Sequence, residues 1–202
     1  MSNNLVSCVK KIGVAACVTF ATLSSAFASD LVLSDGVSYK DQIEVGSHVL
    51  KLNGAGFAVI RRAKMYALAL YLPKNVTTQQ AVFASPGPVR FQIIMQKSVS
   101  ADLMSDRFLS DLRINSNEDE RNQLLSQIFS IGQSFAEVRN WNVGDVLDID
   151  WTRDSGVVIH YNGRKIGDTL KGNLIMQVIM RIWVGDNCID SKLKRQLLGG
   201  LE

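Results

Sequence analysis

The sequence predicts an α+β domain in which one antiparallel sheet carries helices layered on one face. Three observations support this. Strand-patterned segments come first (Leu52–Pro73 and Val89–Lys97), helical patterns follow (Ser100 to Phe135), and a strand meander returns before two closing helices. Within the meander, Asn162-Gly163 is a strong two-residue hairpin signal and makes the pairing antiparallel. No repeat, low-complexity tract or Pro/Gly-rich linker divides residues 29–202, which read as a single domain.

Residues 1–28 read as an export signal. Lys10 and Lys11 form a basic region, Ile12 to Leu23 an apolar stretch, and Ala26-Phe27-Ala28 a small-x-small cleavage site. The apolar stretch is shorter than the roughly 20 residues that a membrane span needs. Val14-Ala15-Ala16-Cys17 resembles a lipidation box, but only five apolar residues precede Cys17 and the run continues beyond it. Cleavage after Ala28 and a periplasmic address are therefore expected, with no membrane span in the mature chain. Removing 28 of 202 residues leaves 174, enough for one substantial core. Without Lys10 and Lys11, 20 basic residues face 19 acidic ones, a formal charge of +1. That balance provides no basic excess for nucleic acid or an anionic membrane. Cys8 and Cys17 leave with the signal, and Cys188 alone cannot form an internal disulfide.

The remaining elements follow in order. Ser29 to Leu50 suggests a short opening hairpin of Val37-Ser38-Tyr39 against Ile43-Glu44-Val45. Leu52–Pro73 reads as one long strand, and Val76 to Phe83 as a short helix ended by Pro86-Gly87-Pro88. Val89, Phe91, Ile93 and Met95 alternate with Arg90, Gln92, Ile94 and Gln96, which is a strand. Ser100 caps a helix with Asp102 in its first turn and the stripe Met104, Phe108, Leu112. Asn115 to Arg121 reads as a loop before a longer helix whose apolar face is Leu124, Leu125, Ile128, Phe129, Ile131 and Phe135. The meander spans Asp145–Thr152, Gly156–Tyr161 and Arg164–Gly167. Helices over Asn173–Val184 and Ser191–Leu198 close the chain, with Gly185 and Asp190 as caps.

Leu52–Pro73 carries the most unusual chemistry. Gly54 and Gly56 suit a turn or a close backbone approach, and Met65–Leu72 is almost wholly apolar, as in a strand covered on both sides. Strand alternation places Arg62, Lys64 and Tyr66 on one face. Two cations and a phenol leaving a buried strand suggest an apolar pocket with a few polar groups, the usual make-up of a small-molecule site. Other chemistry is sparse. There is no G-x-S-x-G, P-loop or G-x-G-x-x-G, and His48 and His160 lack metal-ligand spacing, so no metal or cofactor is implied. Asp148 and Asp150 share a strand face and read as its polar side. Arg181, inside an otherwise apolar helix, needs a partner: a carboxylate such as Asp150 or Asp186, or a ligand. Trp183 beside it reads as core packing.

L-N-G-A-G followed by K-M-Y-A-L-A-L-Y-L resembles the early core strand of chalcone isomerase-like proteins, in particular their secreted bacterial branch. R-I-W-V-G-D at Arg181–Asp186 with the helix after Asp190 is a second match, and Gly144 through Asn162-Gly163 to Gly167 a looser third. Together these cover most of Leu52–Gly199 in the family's order. The resemblance implies that family's open-faced sandwich. It also implies that Tyr66 stands where plant chalcone isomerases use a threonine to hold the substrate ketone. The family's other active-site groups fall at Ala58 (an arginine there), near Leu103 and Ser110 (a tyrosine and an asparagine), and near Ile182 (a hydroxyl). With those donors replaced, little stabilisation of a developing oxyanion is expected.

The reading these residues support is an exported binder of a small apolar ligand with an acidic or polar head, gripped by Tyr66 with Arg62, Lys64 or Arg181, as in the family's fatty-acid-binding members. One alternative is an intramolecular lyase acting on a chalcone-like enone with Tyr66 as donor. Another is an envelope interaction module whose cleft its own side chains fill. The oligomeric state is left open.

Overall fold

The structure, a computed structural model, describes residues 30–200. The expected leader, its cleavage point after Ala28 and the first two cysteines lie outside the described residues. Strands β1 (Leu31–Val32) and β2 (Ser38–Tyr39) pair around a single 3-10 turn, Ser34–Gly36. Next come β3 (Gln42–Val45), β4 (His48–Ile60) and β5 (Ala63–Leu72), then α1 (Gln79–Phe83), β6 (Val89–Met95) and β7 (Val99–Ser100). Helices α2 (Ala101–Ile114) and α3 (Glu118–Ala136) are followed by β8 (Asn140–Trp141), β9 (Val146–Thr152), β10 (Gly156–Tyr161) and β11 (Arg164–Leu170). Helices α4 (Leu174–Val184) and α5 (Ser191–Leu197) end the fold. Seven strands form one antiparallel sheet in the order β11-β10-β9-β6-β5-β4-β3. The α+β class expected from the sequence is the one observed.

Strand alternation builds the main core. Leu68, Leu70 and Leu72 of β5 share a face with Phe91 and Ile93 of β6 and Leu147 and Ile149 of β9, all buried under the helices. Helix α4 is buried almost all round, from Ile175 to Val184, and so sits at the centre of the helical layer. The opposite sheet face has its own smaller core of Tyr39, Leu50, Ala67, Ala69 and Tyr71, covered by the β1–β2 hairpin. That hairpin corrects one expectation. Tyr39 pairs with Leu31, while β3 pairs with β4 around Gly46, so Val37–Tyr39 and Ile43–Val45 do not face each other.

Gly54 and Gly56 lie within β4 and make no turn; they serve the close-approach alternative. A β-carbon on Gly54 would stand 2.0 Å from the Gln196 carbonyl oxygen, so only glycine lets α5 pack this tightly on the strand. Between Leu52 and Gly54 the register shifts at Asn53. The Asn53 amide donates to the carbonyls of Val76 (3.0 Å) and Leu197 (2.7 Å), and its oxygen accepts from the Val76 N–H, fastening α5 to the sheet.

The helix ends mostly follow their sequence signals. Ser100 accepts from the Leu103 N–H, and Asp190 from those of Lys192 and Leu193. Helix α3 starts at Glu118, inside the stretch expected to be loop, because Asn117 and Glu120 form a reciprocal capping box. Its apolar face also differs from the expected one. Leu124, Ile131 and Phe135 are buried, whereas Leu125 and Phe129 are 70% and 67% exposed. One residue step turns a helix by about 100°, which carries Leu125 and Phe129 off the packed stripe.

Candidate functional site

Leu52–Pro73 is two strands, not one. Arg61 and Arg62 occupy left-handed backbone (φ 49° and 67°) between Ile60 and its partner Ala63, the backbone signs of a type I′ hairpin. Arg62 is consequently an exposed turn residue. A second irregularity separates Lys64 from Tyr66. Ala58 pairs with Tyr66 and Val59 with Lys64, so Met65 is a bulged extra residue that breaks the two-residue alternation. Lys64 leaves the sheet on the far side, where Nζ lies 2.7 Å from Asp35, 2.9 Å from Ser34 Oγ and 4.2 Å over the Phe57 ring. It ties the β1–β2 hairpin to the sheet and does not share a face with Tyr66.

Tyr66 points into the helical side. Its oxygen accepts a hydrogen bond from Trp183 Nε1 at 3.0 Å, with both residues buried. Trp183 is therefore core packing, its ring tilted against Phe91 at 4.8 Å, and also the group that orients the phenol. A hydroxyl can accept and donate at once, so the Tyr66 proton can still be given to a ligand. Burial pushes the phenol well above its ordinary pKa, against the Trp183 hydrogen bond, and keeps it a protonated donor.

Beside Tyr66 opens a cleft of about 410 Å3 between the β4–β5 turn, β6 and α2. Ile60, Ala63, Met65, Met95, Val99, Leu103 and Met104 make its apolar wall, and Arg61 and Arg107 are its cations. The Arg107 side chain is half exposed, and its Nε donates to Asp111 at 2.8 Å. Burial raises the Asp111 carboxyl above its usual range, and Arg107 opposes that shift. Larger depressions of about 570 and 680 Å3 occur along Gly54–Phe57 and beside Arg90, but neither touches Tyr66.

Of the four residues singled out in the sequence, only Tyr66 lines this cleft. Arg181 lies away from it, bound to Glu120 (2.9 Å) and the Asn115 carbonyl (3.1 Å). A charge inside an apolar helix did need a carboxylate, but the partner is Glu120 rather than Asp150 or Asp186. Asp150 instead takes a two-pronged contact from Arg90, and Asp148 accepts from Gln92. These carboxylates are thereby held by partners on the far sheet face. Sequence reasoning missed Arg61, Arg107 and Asp111. Arg107 and Asp111 were signalled by their i,i+4 spacing on a helix already placed at Leu103. Among the described residues no group of metal-ligating side chains is found.

A protein-family model described as chalcone isomerase-like matches residues 32–199. Among solved structures, a fatty-acid binding protein of Arabidopsis thaliana superposes with a TM-score of 0.65. It shares 11% sequence identity, and the match covers 84% of this chain and 96% of that one; identity this low establishes the fold alone. No curated protein matches the chain by sequence. The family match spans every element from β2 to α5, including the strand that carries Tyr66, and the chain belongs to the chalcone isomerase-like family.

Proposed function

We propose that the protein is exported and binds an amphiphilic acid, an apolar chain ending in a carboxylate, without efficient catalysis. The observation that carries this reading is the Tyr66 cleft, with its apolar wall, a buried phenol and two guanidinium groups. Transfer of the chain from water supplies roughly 25 cal/mol for each Å2 of apolar surface buried. The phenol and Arg107 supply directed donors for a head group. Arg61 and Arg107 against Asp111 leave one net positive charge, which suits a monoanion. The solved fatty-acid binding protein of the same fold supports this ligand class. The sequence pattern before Ser29 supports export to the periplasm.

Loss of the family's arginine at Ala58 and of its hydroxyl near Ile182 argues against turnover, since each missing oxyanion donor removes about 3 kcal/mol of transition-state stabilisation. An intramolecular lyase acting on a chalcone-like enone is the second reading, favoured by one observation: a protonated phenol and a guanidinium line one apolar cleft. Calorimetric titration with saturated fatty acids of increasing length is expected to give saturable binding, lost when Tyr66 and Arg107 are both replaced. Acceleration of hydroxychalcone cyclisation well above the spontaneous rate would establish the lyase instead. Failure to bind any acid would refute the proposal.

A further inference from the structure

Beyond the family fold and its cleft, the β4–β5 turn carries cations that the folded chain does not use. Arg61 and Arg62 stand at its tip with φ of 49° and 67°, backbone that side chains with a β-carbon rarely adopt and that Asn-Gly would fill more readily. Residues kept in such backbone gather at functional positions. Both are exposed, and neither side chain makes a hydrogen bond or ion pair among the described residues. Lys97 is exposed and equally unpaired, and its backbone N–H donates to the Met65 carbonyl at 3.2 Å, which holds it beside the cleft wall. Apolar side chains stand among these cations. Leu103, which lines the cleft, is 57% exposed, and Val143 is 63% exposed. The Val143 turn is tied to the same wall, because the Gly144 N–H donates to the Met95 carbonyl at 2.9 Å. The acids of α2 are turned aside: Asp102 and Asp106 lie about 100° or more round the helix from the middle of the stripe Leu103, Met104 and Arg107.

We infer that the mouth of the Tyr66 cleft docks on an anionic lipid surface, with the β4–β5 turn leading. Charge complementarity selects this partner. Three unspent cations, Arg61, Arg62 and Lys97, surround the opening, and the near-neutral balance of the whole chain conceals this local excess. The interspersed apolar side chains suit the boundary between head groups and acyl chains, where the cations reach phosphates while Leu103 and Val143 enter the apolar side. An acidic polypeptide would satisfy the cations without using those apolar side chains. Docking there sets the cleft against the place where an amphiphilic acid resides; that purpose rests on the ligand reading above, while the docking itself does not.

The test is flotation of the protein, expressed from its full sequence, with vesicles of phosphatidylglycerol and phosphatidylcholine or of phosphatidylcholine alone. Partitioning is expected on the anionic vesicles and to be weaker by tenfold or more on the neutral ones. Each cation near such a surface raises partitioning roughly fivefold, so Arg62→Gly with Lys97→Gln should lower it roughly 25-fold. Glycine suits the backbone at position 62, so this double variant should melt no lower than the parent. It should also bind a fatty acid as the parent does in the absence of vesicles. Val143→Ser should weaken flotation severalfold. Equal partitioning on neutral and anionic vesicles, or a double variant that floats like the parent, would overturn the inference. So would binding to soluble polyglutamate as tight as to the vesicles and indifferent to Val143→Ser, because the cations would then serve an acidic polypeptide. Flotation is measured without added acid, so a protein that docks but binds no acid refutes only the ligand reading, and one that binds acid without docking refutes only this inference.

Discussion

Replacing Tyr66 with phenylalanine removes one oxygen and strands a donor. The Trp183 indole N–H now meets that oxygen at 3.0 Å with both side chains buried, at 8% and 2% exposure. In the variant this buried N–H loses its acceptor, a loss of about 1–3 kcal/mol. For a domain of this size the melting temperature should fall by roughly 2–12 °C. The ligand loses a neutral donor to a charged head, and affinity for a fatty carboxylate should drop roughly tenfold or more. Thermal unfolding and calorimetric titration read the two effects separately. A cycle with Trp183→Phe isolates the pair: removing both partners spares the unsatisfied group, so the double variant should be about 1 kcal/mol more stable than the sum of the singles predicts. A Tyr66→Phe protein that melts and binds like the parent, or a strictly additive cycle, would refute the assignment of Tyr66 and Trp183 as one unit.

Four further outcomes are expected. Asp111→Asn frees Arg107 from its carboxylate and should tighten binding of an acid; with Arg107 half exposed the gain is about 0.5 kcal/mol, roughly two- to threefold by titration. The same variant tests a pH dependence. Burial raises the Asp111 pKa above 3.8, so the folded chain holds that proton more tightly than the unfolded one. Asp111 therefore lowers stability as pH climbs above 3.8, and unfolding measured against pH should show this slope in the parent and not in the variant. Changing Arg61-Arg62 to Asn-Gly relieves two residues held at positive φ and should stabilise the protein by roughly 1–2 kcal/mol in denaturant unfolding; a loss of stability would refute the turn. Gly54→Ala places a β-carbon 2.0 Å from the Gln196 carbonyl, and the displaced α5 should cost about 1–3 kcal/mol, read by the same unfolding assay.

Much of the architecture was legible because its signals are local. Asn162-Gly163 takes positive φ at both residues, Ser100 and Asp190 cap helices, and the alternation in β6 buries Val89, Phe91, Ile93 and Met95 as expected. The candidate site was less legible. Arg61-Arg62 adopts the backbone of an Asn-Gly turn without its residues, so no composition signal broke the Leu52–Pro73 run. One bulged residue, Met65, then moved Lys64 to the other face, since a slip of one residue in a strand exchanges its faces. Arg181 stood out because charge inside an apolar helix is conspicuous, but conspicuous charge only requires a counter-charge. Glu120, brought near by the capping of α3, met that requirement.

The order of apolar periods, turn residues and caps along the chain was enough to determine its class, its helices and the apolar strand bearing Tyr66, because each of those features depends on neighbours a few residues away. Which groups meet around that phenol was decided only by the packed molecule. Trp183, Arg107 and Asp111 reach it from two helices far along the chain, and their convergence depends on a strand register and a helix rotation that no local pattern encodes.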